Sequence, residues 1–397
     1  MTLSLPVLSS STSPDADGPV VVPPVDRSKP YRSCEWLEGG LAFNRRSLHA
    51  CLIVHHGRGF PHLVDFNGGE IPVNKVLAAR HEIIRQNQNE GHEACRGCPH
   101  LVTKQWPEPK YQFDTIGIAQ FTHCNIYCNY CYLQTQDPAS YAAGADPYKV
   151  MPAFEQMIRD GLMAPDSLID WGGGEPTIYK EFDPVLEMTT RRGARHWVHT
   201  NGTCLPKPLK KGLPANKINI LCSVDAGTRE TYLKMKKKDF YNLVWKNLAE
   251  FKRLGCSVTV KYIMKEDNCT AKDIVPFVNM VRRLGRMTVL IDIDYDYPDP
   301  SPEVIEGLRL LKCLCERYRF NSAMGFTGAK FTPELEVESR IYNQLKPRLA
   351  DRLYELGRDI YWKYRHTRAF LGKLAGRAPG GPFAPRQRVD MAGADTK

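Results

Sequence analysis

Cys124, Cys128 and Cys131 stand in the stretch Phe121-Thr122-His123-Cys124-Asn125-Ile126-Tyr127-Cys128-Asn129-Tyr130-Cys131-Tyr132, a C-x3-C-x2-C spacing. Thiolates are the soft ligands that iron–sulfur clusters require, and short local cysteine spacing marks such sites. Three thiolates on a four-iron cluster leave one iron open for chemistry, whereas a fourth would close the site. Zinc competes, because the same thiols together with His123 make a tetrahedral donor set. Buried, unligated thiols are the third reading.

The elements that must position these cysteines are legible on either side. Residues Thr115 to Phe121 are apolar, short and free of proline, so they read as a strand delivering the cysteines on the loop at its end. About forty residues on, Leu168 to Trp171 reads as a second strand, running into Gly172-Gly173-Gly174-Glu175-Pro176-Thr177. Glycines let backbone groups approach a ligand closely, and Glu175 offers an acceptor for an ammonium.

With both motifs in this order, the chain resembles the radical S-adenosylmethionine (SAM) enzymes. In that family the three-cysteine loop follows the first barrel strand and the residue before the last cysteine is usually aromatic, here Tyr130. The family's Gly-Gly-Glu-Pro motif matches Gly173-Gly174-Glu175-Pro176. The resemblance covers Thr115 to Tyr297 well. It implies that the open iron is chelated by the amino and carboxylate groups of SAM.

Further strands are predicted at Ala194 to His199, Ile218 to Asp225, Ser257 to Met264 and Met287 to Ile293, with helical periodicity between them, as in Ile274 to Leu284. Strands alternating with helices argue for a parallel sheet covered by helices. The predicted architecture is a partial (β/α)6 barrel, which the resemblance also implies. Functional groups of parallel barrels gather at the C-terminal strand ends. Asn201, Ser223 and Asp225 stand there and look like the positions from which related enzymes contact SAM; turn formation and core hydrogen bonding are the alternatives.

Lys261, on the fifth strand, can face a substrate carboxylate, although half of all strand positions point away from the centre. Asp292, Asp294 and Asp296, with Asp299 beyond, form an acidic comb whose period of two puts the first three on one face of an extended chain. These carboxylates can line a substrate cavity; a solvated strand end is the competing account.

Cys34, Cys51 and the pair Cys95-Arg96-Gly97-Cys98 form a second, upstream quartet. It suits an auxiliary 4Fe–4S cluster, a zinc site in which His92 or His100 replaces a cysteine, or uncoordinated thiols. The surroundings of Cys34 and Cys51 resemble the opening of auxiliary cluster domains that usually follow the barrel, whereas here the quartet precedes it. Cys313 and Cys315 fall on a helix face and read as small buried hydrophobes, and packing is the default for Cys204, Cys222, Cys256 and Cys269.

A chain of 397 residues can bury a core without disulfides, despite its 13 cysteines. No run reaches a membrane-spanning length and no positively charged leader precedes the apolar N-terminal stretches, so a reducing cytoplasm is expected. The expected organisation is a disordered leader over 1–29, a cysteine-bearing extension over 30–110, the barrel over 111–300, a C-terminal helical region over 301–374 and a disordered tail over 375–397. An amphipathic basic helix is predicted near 349–368, and it contributes to the net charge of +10. Without a nucleic-acid motif, that face reads as solvated or weakly anion-attracting rather than as a polynucleotide site.

The resemblance implies reductive cleavage of SAM to a 5′-deoxyadenosyl radical, with electrons from a donor such as flavodoxin or ferredoxin. The first-choice outcome is oxidation, epimerisation or rearrangement of a small polar metabolite by an oxidoreductase, epimerase or lyase. Modification of a ribosomally made peptide is the alternative, and a non-catalytic iron–sulfur protein ranks below both.

Overall fold

The computed structural model describes residues 26, 28–52, 59–89, 91–107, 111–136, 148–285, 287–294 and 300–324. Residues 1–25 and 27 of the leader, Asp296, Asp299, the basic helix and the tail lie outside them. All described residues belong to one compact unit, Met1–Lys346.

The chain begins with short strands Tyr31–Ser33 (β1), Gly40–Asn44 (β2), Ser47–His49 (β3), His62–Asp65 (β4) and Val102–Lys104 (β5). The six strands read from the sequence then follow: Phe113–Ile118 (β6), Met163–Trp171 (β7), Arg195–Thr200 (β8), Ile218–Ser223 (β9), Ser257–Met264 (β10) and Thr288–Ile293 (β11). Each pairs in parallel with the next, and along β8 and β9 buried side chains alternate with more exposed ones. Two further parallel strands extend this sheet beyond the expected six. β2 lies beside β6, and Asn321–Met324 (β12) lies beside β11. The sheet is open, in the order β12-β11-β10-β9-β8-β7-β6-β2-β3-β4, with the last two strands antiparallel.

The helices are Glu35–Gly39 (α1), Val73–Asn87 (α2), Tyr132–Gln136 (α3), Met151–Arg159 (α4), Phe182–Arg191 (α5), Lys207–Lys210 (α6), Arg229–Lys236 (α7), Tyr241–Arg253 (α8), Ala271–Leu284 (α9) and Pro302–Arg317 (α10). Helices from α4 onward connect successive strands of the parallel sheet, as crossovers between parallel strands require. α9 shows why they dock. Ile274, Phe277, Val278 and Val281 form one buried stripe, and Phe277 meets the Tyr262 ring of β10 at 4.6 Å. Burying such a side chain contributes about 1.5–3 kcal/mol. Cys313 and Cys315 are buried in α10, as their helical spacing suggested. No helix among the described residues is long and apolar enough to cross a membrane.

Candidate active site at the strand ends

The cysteine loop leaves β6 and is fastened from two directions. The backbone of the glycine motif donates to it, from Gly172 N to Ile118 O (2.9 Å), Gly174 N to Phe121 O (3.0 Å) and Glu175 N to His123 O (2.8 Å). On the other side, Tyr127 N and Asn129 N donate to the carbonyls of Lys236 (3.1 Å) and Met235 (2.9 Å) at the end of α7. Terminal helix carbonyls lack intrahelical partners, so the end of α7 is a ready acceptor for the loop. The glycines therefore serve a close approach to the loop's own backbone. A Cβ at Gly174 would lie 2.1 Å from His123 O, and one at Gly173, whose φ is +78°, 2.5 Å from Phe121 O.

Cys124, Cys128 and Cys131 are partly buried, and their sulfurs lie close enough that ionising one disfavours ionising another. Burial pushes the Cys124 thiol up to about 12, with the Glu175 carboxylate adding to the effect, and burial raises Cys131 as well. Thiols in such surroundings ionise readily only when a cation binds them. The donor chemistry fits iron: backbone N–H groups of Ile126 and of Leu133 and Gln134 face the sulfurs of Cys124 and Cys131. Asn201 Nδ2 also approaches Cys124 Sγ at 3.8 Å. Among the described residues no group of three or more His, Cys, Asp or Glu side chains is placed to hold a metal ion.

Asn201 is one member of a network that shapes the loop. Its Nδ2 donates to Asn125 Oδ1 (2.7 Å), its Oδ1 accepts from Thr203 N (3.0 Å) and Oγ1 (2.7 Å), and Asn125 Nδ2 donates to Thr203 Oγ1 (2.9 Å). Glu175 is buried, which raises its pKa against the hydrogen bonds that oppose the rise. Its Oε1 accepts from Thr177 N (3.1 Å), Thr177 Oγ1 (2.5 Å) and Thr200 Oγ1 (2.6 Å), while Oε2 accepts from Asn201 N (2.6 Å). A carboxylate oxygen takes about two donors, so Oε2 is the atom with capacity for a further one.

Asp225 is fully enclosed. Its backbone sits at φ +57°, in the left-handed region that Asp tolerates better than most residues. Oδ1 accepts from Ile263 N (2.7 Å), and Oδ2 accepts from Lys236 Nζ (2.5 Å) and from the Tyr130 hydroxyl. Lys236 Nζ also donates to the Tyr130 oxygen. Burial works against the Lys236 ammonium, but the Asp225 carboxylate and the nearby Cys128 sulfur more than offset it and keep the group protonated. Burial, then Asp225, holds the Tyr130 phenol well above its ordinary range. Tyr130 and Asp225 are thus joined to each other and to the end of α7. Ser223 is half-buried at the end of β9, in register with Lys261.

Lys261, Asp292 and Asp294 come together as two ion pairs on neighbouring strands. Lys261 Nζ lies 3.0 Å from Asp292 Oδ2, and Lys265 pairs with Asp294 one step beyond. Both carboxylates are buried while the lysines retain slight exposure. Asp292 and Asp294 are therefore each paired with a lysine rather than left as bare carboxylates, since unpaired buried charges are costly.

Lys236, Lys265, Asn125 and Thr203 did not stand out in the sequence. Lys236 lies within Lys234-Met235-Lys236-Lys237-Lys238, where a buried cation looks like its solvated neighbours. Nothing short of the fold distinguishes it. Of the upstream cysteines, Cys34, Cys95 and Cys98 are brought near one another, with burial raising all three thiols and Cys34 to about 12.

Parallel strands with a three-thiol loop at their C-terminal ends, met by a Gly-Gly-Glu turn from the next strand, form an open, partial barrel with the donor set of a SAM-binding iron–sulfur site. Residues 120–281, which carry the cysteine triad and the glycine motif, match the model of the Radical SAM superfamily. Over 164 residues it is 27% identical to the molybdenum cofactor biosynthesis protein moc-5 of Caenorhabditis elegans, covering 40% of this chain and 26% of that protein. Over 153 residues it is 24% identical to the Fe-coproporphyrin III synthase of Methanosarcina barkeri, covering 36% of this chain and 35% of that one. The match thus spans 26% and 35% of the lengths of these curated relatives. Among solved structures, SuiB of Streptococcus suis bound to S-adenosylmethionine is 14% identical, covering 65% of this chain and 54% of that chain with a TM-score of 0.40. Native anSMEcpe with bound AdoMet is 14% identical, covering 54% and 64% with a TM-score of 0.43.

Proposed function

We propose that this chain is a radical SAM enzyme acting on a small polar substrate. The carrying observation is the gathering of Cys124, Cys128 and Cys131 beside Glu175 and Asn201 at the ends of adjoining parallel strands. Cys124, Cys128 and Cys131 would hold a 4Fe–4S cluster, which when bound would supply the electron for reductive cleavage of SAM and so the hydrogen abstraction from substrate.

The chain's own residues have separable tasks in this reading. Glu175 Oε2 accepts a hydrogen bond from the SAM ammonium, and Asn201 and Ser223 serve its carboxylate and ribose. Tyr130, Asp225 and Lys236 hold the cysteine loop in place through buried charge-assisted contacts. Lys261 with Asp292, and Lys265 with Asp294, present ammonium and carboxylate groups in alternation, which suits hydroxyl, amine and carboxylate groups on one small molecule. Oxidation, epimerisation or rearrangement follows hydrogen removal, with a flavodoxin or ferredoxin as electron donor and a reducing cytoplasm as the compartment.

The test is anaerobic incubation of reconstituted protein with SAM and dithionite, with 5′-deoxyadenosine as the readout. A desalted small-molecule extract is expected to stimulate its formation, and Cys124→Ala to abolish it. Stimulation by the peptide fraction alone would replace the substrate class with a peptide. No 5′-deoxyadenosine with any fraction, despite bound SAM, would overturn the enzyme reading.

A further inference from the structure

We infer that Asp170, Trp197, His199 and Asn219 form a substrate subsite that takes a hydroxylated six-membered ring of the sugar type, with its apolar face on Trp197. This rests on the small polar substrate proposed above and names its chemistry. Trp171 packs on Phe182 of α5 at 4.7 Å, and His196 Nε2 meets the Thr189 and Thr190 hydroxyls of that helix at 3.3 and 3.1 Å. Successive strand residues point to opposite faces, so Asp170, Trp197 and His199 face away from the helices. Asn219 joins them, because Asp170 pairs with Trp197 and Trp197 with Asn219 across β7, β8 and β9.

Trp197 is 46% exposed although β8 runs between two parallel strands, a position where side chains are usually covered on both faces. The acceptors on either side of it lack donors. Asp170 Oδ1 and Asn219 Oδ1 are each buried and accept no hydrogen bond among the described residues. His199 Nε2 comes within 3.0 Å of Asp170 Oδ1 as an ion-pair contact, outside hydrogen-bonding geometry. Leaving a buried acceptor unsatisfied is costly, and two of them flanking one open indole call for a ligand with donors on two edges.

Strand spacing sets the size of that ligand. Neighbouring strands lie about 4.8 Å apart, so Asp170 and Asn219 stand about 10 Å apart with Trp197 midway. Two hydrogen bonds of about 2.8 Å leave about 4–5 Å between the donor oxygens, a distance that hydroxyls on alternate carbons of a six-membered ring span. The C–H bonds of such a ring give it an apolar face to lay on the indole, whose own body is apolar and flat. An extended peptide adding as a strand would instead seek a sheet edge, which β7, β8 and β9 lack.

The subsite lies on the face of β8 that leads to the cysteine loop. Asn201, whose Nδ2 is 3.8 Å from Cys124 Sγ, follows His199 by two residues and Trp197 by four. At about 3.3 Å per residue, Trp197 lies about 13 Å along the chain from the residue that meets the triad. Lys261 belongs to the same face, since it pairs with Ser223, four positions beyond Asn219 on β9. A substrate larger than the ring can therefore extend from Trp197 toward Lys261.

Saturation-transfer NMR on the full-length reconstituted protein, with D-glucose, D-glucosamine and myo-inositol as probes, reads contact with the C–H face of each ring. At least one probe should receive transfer into its ring protons. Trp197→Ala should abolish that transfer, while Trp197→Phe, which keeps a flat ring, retains it. Asp170→Ala should raise the dissociation constant about 10–100-fold and Asn219→Ala about 3–10-fold, the loss of one charged and one neutral acceptor. SAM binding, measured on the same samples, should be unchanged in all four variants. No transfer to any probe, with water left to fill the two acceptors, would overturn the subsite, as would equal transfer in Trp197→Ala. Ring binding without any 5′-deoxyadenosine formation would keep the subsite and count against the enzyme reading, whereas 5′-deoxyadenosine stimulated by the small-molecule extract with no ring bound would do the reverse.

Discussion

Gly172, Gly173 and Gly174 are adjacent and identical in type, yet alanine at each should have a different outcome. At Gly174 the new Cβ would sit 2.1 Å from His123 O, where ordinary contact begins near 3.4 Å. The cysteine loop would have to retreat by roughly 1 Å, a case of overpacking that typically costs about 1–3 kcal/mol. That retreat stretches both Gly174 N to Phe121 O and Glu175 N to His123 O. Each such bond is worth about 1 kcal/mol, so Gly174→Ala should cost about 3–5 kcal/mol and be felt at Cys124. At Gly172 the nearest atoms to the new Cβ are 3.9 and 4.0 Å away, and the backbone needs no left-handed conformation. Gly172→Ala should be neutral, or stabilising by about 0.5 kcal/mol through the stiffer unfolded chain. Gly173→Ala combines φ +78° with a 2.5 Å clash and should resemble Gly174→Ala. The assay is iron per chain and visible cluster absorbance after anaerobic reconstitution, with circular dichroism as a check on the sheet. Equal iron in Gly172→Ala and Gly174→Ala would refute the packing argument.

Asp225→Asn and Lys236→Met should each destabilise by about 3–5 kcal/mol, because each strands a buried partner. The double variant should fall short of the sum by about 2–3 kcal/mol, and additive urea-unfolding energies under anaerobic conditions would sink the coupling. Burial holds His196 neutral, with its pKa down to about 3, and His49 down to about 4. Both are lower folded than unfolded, so their contribution is complete above about pH 6.5 and drains away as pH falls toward those values. His196→Gln should flatten that part of the stability–pH curve, and an unchanged slope between pH 6 and 4 would argue against a neutral, proton-resisting His196. Lys261→Met should lower the apparent affinity for the stimulating metabolite by about 10–100-fold, the loss of one charged hydrogen bond, while SAM binding measured separately stays unchanged. A matching loss of SAM affinity would move Lys261 out of the substrate wall.

Much of the site could be read along the chain because its parts are local. The spacing of Cys124, Cys128 and Cys131, and the Gly-Gly-Glu-Pro run after a strand, are each set by a few consecutive residues, so composition and order expose them. The six strands β6 to β11 were likewise visible, since most of them are short runs rich in apolar and β-branched residues between helical segments. β12 was not, because Asn321-Ser322-Ala323-Met324 carries no apolar signal and becomes a strand by pairing with β11. β2 is a similar case, five residues whose place beside β6 depends on hydrogen bonds to a segment about seventy positions away.

By itself the sequence determined the donor set, the glycine turn and the alternation of strands with helices, because each of these is a short-range pattern. Only the tertiary structure decided which charges meet. It turned the glycines toward the loop backbone, joined Tyr130 to Asp225 and Lys236, and set Lys261 and Lys265 against the acidic comb. It also drew Cys34 toward Cys95 and Cys98 across some sixty residues. Burial and Coulomb partners depend on distance through space, and distance along the chain carries almost none of that information.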